Sequence, residues 1–127
     1  MHGRRAFISG HSPVAVDGSL YTPRGKVGHE LSEKEGYAAA KSAGLAVLAS
    51  LKRTLGDLDR VAACLRVAGY VNCAPHFNRT TAVINGCSDL ILAVYGEEPG
   101  AHSRSAIGAA NLPLDNPVII EAEIEID

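Results

Sequence analysis

The sequence contains no tryptophan, only two phenylalanines and only four tyrosines. A surface on which single-stranded bases stack is therefore not expected. Its 12 Lys and Arg residues are outnumbered by 14 Asp and Glu residues, which gives a net charge of −2. An extended basic surface for a phosphate backbone is not expected either. These two deficits predict that nucleic acid is not a partner.

Long apolar runs are also missing. The longest, residues 38–51, is interrupted by Lys41 and is too short to cross a bilayer. The pair Arg4-Arg5 begins like a twin-arginine export signal, but the apolar segment that such a signal needs does not follow. We expect no membrane association and a cytoplasmic location.

Cysteine is scarce, and its spacing excludes common metal sites. Cys64, Cys73 and Cys87 form no C-x-x-C pair, and the five histidines form no H-x-x-x-H pattern. We expect free thiols in a reducing compartment, no metal and no cofactor.

The composition is that of a globular protein. Of its 127 residues, 46% are hydrophobic and 20% are charged. This length predicts one domain over residues 1–127, large enough to bury a core.

Two helices are predicted between short strands. Ser32 and Glu35 have the spacing of a capping box, and Gly56 ends the first helix. A second helix is expected over residues 75–95, with Pro75 in its first turn and a buried stripe that starts at Phe77 and Thr81 and ends at Val94. Asn85-Gly86 weakens it in the middle.

Four strands are predicted over residues 5–11, 60–72, 104–110 and 118–127, where β-favouring or small residues recur with a period of two. The fold class is therefore α+β, with two helices packed on one face of a mixed four-stranded sheet. The second face is expected to carry mostly small and apolar residues: Cys64, Ala68, Tyr70, Arg104, Ala106, Gly108, Ala110 and Ile119. Such a face needs cover, so we expect self-association with a ligand cleft between subunits.

Arg104 stands alone, because no other formal charge lies between Glu98 and Asp115. A guanidinium among small residues is suited to hold a carboxylate through two parallel hydrogen bonds. We interpret Arg104 as the anchor for a small anionic metabolite. The alternative is an arginine satisfied by backbone carbonyls at a strand end.

Several segments together resemble the RidA/YjgF family, also called the endoribonuclease L-PSP family. The similarity covers nearly the whole chain. It rests on segments that include Gly25-Lys26-Val27-Gly28, Val83-Ile84-Asn85-Gly86, Tyr70-Val71-Asn72, His102-Ser103-Arg104-Ser105-Ala106 and Glu121-Ala122-Glu123-Ile124.

The resemblance implies a chorismate-mutase-like fold and a homotrimer with sites between neighbouring subunits. It implies that Arg104 binds the substrate carboxylate, and that backbone donors near Ser9-Gly10 and at Ala106 complete the site. It also implies hydrolysis of enamines and imines such as 2-aminoacrylate to 2-keto acids and ammonia, without a metal or cofactor.

Three departures from the family pattern bear on that activity. Ile119 stands where the deaminases have a water-positioning glutamate, and Ala106 stands where a cysteine is common. The first strand of relatives is missing, which predicts an unpaired edge at residues 5–11. Glu121 is a candidate catalytic replacement, against a solvated strand-end glutamate. Tyr70 is a candidate polar contact, against simple interface packing.

Two classes of function remain open. The first is an enamine or imine deaminase, or a related hydrolase of small amino-carboxylates. The second is a non-catalytic trimer that senses or buffers a small keto or imino acid. Ribonuclease activity, implied by the older family name, is third, because the chain is acidic and poor in aromatic residues.

Overall fold

Four strands form one mixed sheet in the computed structural model, which describes residues Met1–Asp127. They are β1 (Arg5–His11), β2 (Val61–Asn72), β3 (Ser103–Ala109) and β4 (Val118–Ile126). Their spatial order is β1-β4-β2-β3, with β2 and β3 parallel and the other two pairs antiparallel. The predicted α+β class with a mixed sheet is confirmed, and β1 is an edge strand as expected.

Two helices pack on one face of this sheet. They are α1 (Glu33–Leu55) and α2 (Thr80–Tyr95); a short helical turn, Glu97–Gly100, follows α2. No helix is long and apolar enough to cross a membrane. The predicted capping box of α1 is confirmed, because the Ser32 hydroxyl accepts a hydrogen bond from the Glu35 N–H and the Glu35 carboxylate accepts one from the Ser32 N–H.

The start of α2 was predicted wrongly. The helix begins at Thr80, because the preceding residues form a separate turn in which the Phe77 N–H donates to the carbonyl of Ala74. Pro75 therefore lies in a connection rather than in the first helical turn. The buried stripe is also shorter than predicted: Val83, Ile84, Cys87 and Ile91 are buried, whereas Thr81 and Val94 are exposed.

At Gly86, α1 and α2 approach each other closely. A methyl group on Gly86 would overlap the carbonyl oxygen of Tyr37 in α1. The Asn85-Gly86 pair, which the sequence presents as a weak point of α2, is therefore what permits the two helices to cross at short range.

Two bulges in β2 overturn one predicted face. The register between β2 and β4 shifts between Val61 and Ala63 and again between Cys64 and Arg66. Each bulge inserts a residue and reverses the alternation. Cys64 therefore points into the core beneath the helices, where it is 3% exposed, and not onto the second face of the sheet. Beyond the bulges, Val67 and Val71 are buried under the helices as predicted.

The connection before α1 is fastened to the end of β2 by one lysine. Lys26 Nζ donates to Asn72 Oδ1 at 3.0 Å and to the carbonyl of Ala110. The Val27 N–H donates to the carbonyl of Asn72 at 2.8 Å, and Val27 is fully buried. The motif Gly25-Lys26-Val27-Gly28 thus holds the connection against the ends of β2 and β3.

Candidate functional site

Arg104 lies on the helix side of the sheet, and not on the second face as the sequence predicted. Its pairing partner in the parallel β2–β3 ladder is Val67, which is fully buried beneath the helices. Residues paired in register share a face, so Arg104, Ala106 and Gly108 all point toward α2. Ala110 lies just beyond the end of β3. The prediction failed because the strand was placed on the sheet without its register.

The Arg104 guanidinium is held by neutral groups alone. One terminal nitrogen donates to the Ser88 hydroxyl oxygen at 3.1 Å, and the other donates to the carbonyl of Thr81 at 3.4 Å. No carboxylate lies within 4 Å of it, whereas three other arginines, Arg5, Arg60 and Arg79, form ion pairs. Since an arginine offers five N–H donors, three of them remain without a partner.

These donors open onto a groove of about 600 Å³ between α2, the turn Glu97–Gly100 and β3. Its lining is mostly polar and includes three acidic side chains, Asp89, Glu97 and Glu98. The other lining residues are Asn85, Ser88, Leu92, Ala101, His102 and Arg104. The Asp89 carboxylate is fixed by a 2.7 Å hydrogen bond from the Tyr37 hydroxyl. The groove therefore contains one cationic side chain, that of Arg104, and three carboxylates.

A second concave region lies on the opposite, open face of the sheet. It has a volume of about 380 Å³, and Ser9, Arg66 and Glu121 are among its lining residues. The Tyr70 hydroxyl donates to Glu121 Oε1 at 2.9 Å, and this bond to a carboxylate raises the pKa of the Tyr70 phenol. The structure thus brings Tyr70 and Glu121 together, with Ser9 in the same cleft as Glu121.

The sheet separates the predicted site residues of one chain into two groups. Arg104 and Ala106 are on the helix side, where the Ala106 carbonyl accepts a hydrogen bond from the Thr80 hydroxyl at 2.9 Å. Glu121 pairs with Ala68 rather than with Val67, so it faces the other way. Gly10 packs directly on Ile119, and an added Cβ would lie 2.8 Å from Ile119 Cγ2. Ile119 is thus fixed against β1 near the open cleft.

Several polar residues of these two sites were not predicted, among them Ser88, His102 and Arg66. Ser88 lies on the buried stripe of α2, His102 precedes β3, and Arg66 lies on β2 in the open cleft, where it donates to the Ser105 hydroxyl at 3.1 Å. The signal for Ser88 was a hydroxyl among apolar neighbours at helical spacing. The signal for His102 was its place two residues before Arg104.

The side chains that bind metals in proteins are scattered. No three His, Cys, Asp or Glu side chains come close enough to hold an ion. Cys64 and Cys87 are buried in the core, and burial raises the pKa of Cys64 to about 11 and that of Cys87 to about 12. Both thiols therefore remain protonated and weakly nucleophilic at neutral pH.

Comparisons with known proteins agree over almost the whole chain. Residues 1–125 match the family described as "YjgF/chorismate_mutase-like, putative endoribonuclease". Protein TCP17 of Trypanosoma cruzi is 40% identical over 125 residues, which cover 98% of this chain and 77% of that protein.

Solved structures share the fold. The crystal structure of Atu1372 from Agrobacterium tumefaciens, a protein of unknown function, has a TM-score of 0.94 and 35% identity, covering 100% of this chain and 80% of its own. E. coli TdcF, crystallised with bound serine, has a TM-score of 0.65 and 17% identity, covering 100% of this chain and 83% of its own. At that identity the likeness to TdcF concerns the fold alone.

Proposed function

Because the chain belongs to the YjgF/chorismate-mutase-like family, we propose that it binds small amino- or imino-carboxylates at Arg104 and hydrolyses their enamine or imine forms. The observation that carries the proposal is the state of Arg104. A half-buried guanidinium that is held by a hydroxyl and a carbonyl, and that no carboxylate neutralises, keeps a full charge and three donors for a ligand.

The charge of the groove favours a ligand with two kinds of group. Asp89, Glu97 and Glu98 share the lining with Arg104, so a simple dianion or a keto acid would meet repulsion on one side. A ligand with an amino or iminium group beside its carboxylate would instead complement both the acidic side chains and Arg104. A protein of this fold, TdcF, was crystallised with serine, which has these two groups.

Catalysis by this chain calls for a second copy. Arg104 and the Tyr70–Glu121 pair lie on opposite sides of the sheet, so a single ligand cannot contact both within one chain. In a homotrimer with clefts between subunits, as the family resemblance implies, the open face of one copy can adjoin the Arg104 groove of the next. Exposed Phe7 and Ile107 on that face support such burial.

Each residue then has a definite task. Arg104 orients the carboxylate, and protonation of the enamine carbon gives the imine. Water adds to the imine carbon, and ammonia leaves as the keto acid forms. Glu121, fixed by Tyr70, is the acid–base group within reach of a ligand on the open face. The reaction consumes one water and requires no cofactor.

A second candidate function is binding without catalysis, and Ile119 favours it. An aliphatic side chain packed against Gly10 replaces the water-positioning glutamate that the resemblance implies for deaminases. The chain would then hold a small carboxylate and release it unchanged.

The anchor is tested by calorimetric titration of serine into the protein, and of pyruvate, which should bind more weakly because it lacks the amino group. Arg104→Lys should weaken carboxylate binding by about 1.5–3 kcal/mol, because a two-bond contact becomes a single point contact. Arg53→Lys is the matched control, since Arg53 also donates to a serine hydroxyl, that of Ser50, but lies on exposed α1 surface. Equal affinities for the Arg104 variant and the parent would make Arg104 a structural residue.

Catalysis is tested with 2-aminoacrylate in an assay coupled to the keto acid. We expect weak turnover in the parent and faster turnover in Ile119→Glu, because a positioned acid–base group contributes about 10²–10⁴-fold in rate. A fast parent that Glu121→Gln abolishes would assign the chemistry to Glu121. Binding without turnover in both forms would favour the non-catalytic alternative.

A further inference from the structure

Behind Arg104 lies a chain of three hydrogen bonds that ends on the backbone. The Arg104 guanidinium donates to Ser88 Oγ at 3.1 Å, Ser88 Oγ lies 2.9 Å from His102 Nε2, and His102 Nδ1 lies 2.7 Å from the carbonyl oxygen of Gly100. All three residues line the same groove or its floor.

When His102 is neutral, elementary chemistry fixes the direction of every proton in this series of hydrogen bonds. A carbonyl oxygen only accepts, so His102 Nδ1 must carry a proton. In neutral imidazole the other nitrogen, Nε2, is then an acceptor, and the Ser88 hydroxyl donates its one proton to it. Ser88 Oγ is left with its lone pairs, and these accept from Arg104. The donors thus run one way, from Arg104 through Ser88 and His102 to Gly100.

We propose that His102, acting through Ser88, is a positioning residue that orients the Arg104 guanidinium toward the ligand. Ser88 is only 8% exposed, so its hydroxyl has little access to water and its rotation is set by its partners. Without His102 the hydroxyl proton is free to rotate toward Arg104, where it would repel the guanidinium N–H. With His102 in place, Ser88 presents only lone pairs to Arg104, and successive bonds in such a chain polarise one another.

The arrangement predicts a role distinct from packing. A second arrangement of the same type, in which His11 Nε2 contacts Ser50 Oγ at 2.7 Å and Arg53 donates to Ser50, lies away from the groove. Ser50 offers an internal control, because its replacement removes the same kinds of bonds without touching Arg104.

The inference rests on the proposed function, and its test uses five variants. His102→Leu and Ser88→Ala should each weaken serine or pyruvate binding about tenfold, the loss expected for one hydrogen bond to a charged group. His102→Gln should restore most of the affinity, because the Gln side-chain oxygen can replace Nε2 as acceptor for Ser88. The double variant Ser88→Ala/His102→Leu should be no weaker than either single variant, and Ser50→Ala should leave affinity unchanged.

A ligand-independent readout separates this inference from the proposed function. Nitrogen-15 spectra of the full-length protein near pH 8 should show His102 protonated on Nδ1, and Ser88→Ala should shift the Nε2 resonance. An Nε2-protonated His102 would overturn the inference even in a protein that binds no carboxylate. If carboxylates bind through Arg104 but the Ser88 and His102 losses are additive, or absent, the positioning role fails while the proposed function stands. A third outcome is that the parent binds no carboxylate although His102 is protonated on Nδ1. That result would overturn the proposed function. It would also refute the ligand-orienting role, because the hydrogen bonds would then be a structural feature only.

Discussion

The three cysteine thiols differ in burial, and burial determines their chemical reactivity. Cys64 and Cys87 are 3% and 1% exposed, and burial raises the pKa of both. Cys73 is only partly buried, and its thiol donates to the carbonyl of Phe77. The three cysteines therefore differ in access as well as in acidity.

We expect Cys73 to be alkylated first. In native protein at pH 8, iodoacetamide should modify Cys73 slowly and leave Cys64 and Cys87 intact, as mass spectrometry of digests would show. All three should react in denaturant. Early modification of Cys64 would contradict its burial beneath the helices.

The same thiols predict how stability depends on pH. Their folded pKa values lie above the unfolded value of about 8.5, so their stabilising contribution is complete below that pH. The contribution is lost as the pH rises toward the folded value of about 11 for Cys64. Chemical denaturation at pH 8 and pH 10 should show the higher stability at pH 8. Replacing both buried cysteines, Cys64 and Cys87, by alanine should reduce this difference in stability between pH 8 and pH 10.

Arg104 shows what the sequence can and cannot predict about a residue. Arg104 is isolated from other charges in the sequence, and in the structure no ion pair neutralises it. Which face it occupies depends on the register of β3 against β2, and that register is a long-range contact that no local pattern encodes. Ala68, Tyr70 and Ile119 were therefore assigned wrongly to the same face as Arg104.

At the scale of elements, local patterns succeeded where one interaction dominates. The capping box fixed the start of α1, and strict alternation fixed the buried face of β4. They failed for β2 and for the start of α2. A bulge and a turn each depend on bonds to distant or irregular backbone, so the period of the sequence alone does not reveal them.

The crossing of α1 and α2 gives a prediction at this scale. Gly86→Ala should destabilise the protein by about 2–3 kcal/mol, because the new methyl group overlaps the Tyr37 carbonyl and the helices must separate. Gly44→Ala, on the facing helix, is the matched control. Its methyl would lie 3.0 Å from Leu90 Cδ2, at the end of a side chain that can move.

In Gly44→Ala, the gain in helix propensity of about 1 kcal/mol should offset most of the cost of moving the Leu90 side chain. Urea denaturation measures both variants. Equal losses in the two would mean that the close crossing is not what requires Gly86.

At the scale of the whole molecule, one face of the sheet has no cover within the chain. Phe7 on β1 and Ile107 on β3 lie on it and are 56% and 52% exposed, and the charged side chains of Arg66 and Glu123 share this face. The face is more polar than the sequence predicted, because Cys64, Ala106 and Gly108 point to the helices instead. The apolar residues that remain are those that a subunit contact would bury.

We expect a homotrimer of about three chain masses of 13.3 kDa each in light scattering at micromolar concentration. Phe7→Glu should shift the protein toward monomer with little change in the helical signal, because Phe7 contributes to association rather than to the core. A well-folded monomer from the parent chain would remove the model of a site between subunits.

The place of β4 in the sheet determines when this protein can fold during its synthesis. β4 is the interior strand between β1 and β2, yet it is the last strand to be made, and its pairing joins Arg5 to Glu125. Until residue 126 has left the ribosome, β1 has no neighbour and one long edge of β2 stays open. The sheet can therefore close only after β4 has emerged, and until then chaperones that hold nascent chains have their longest opportunity to act on β1.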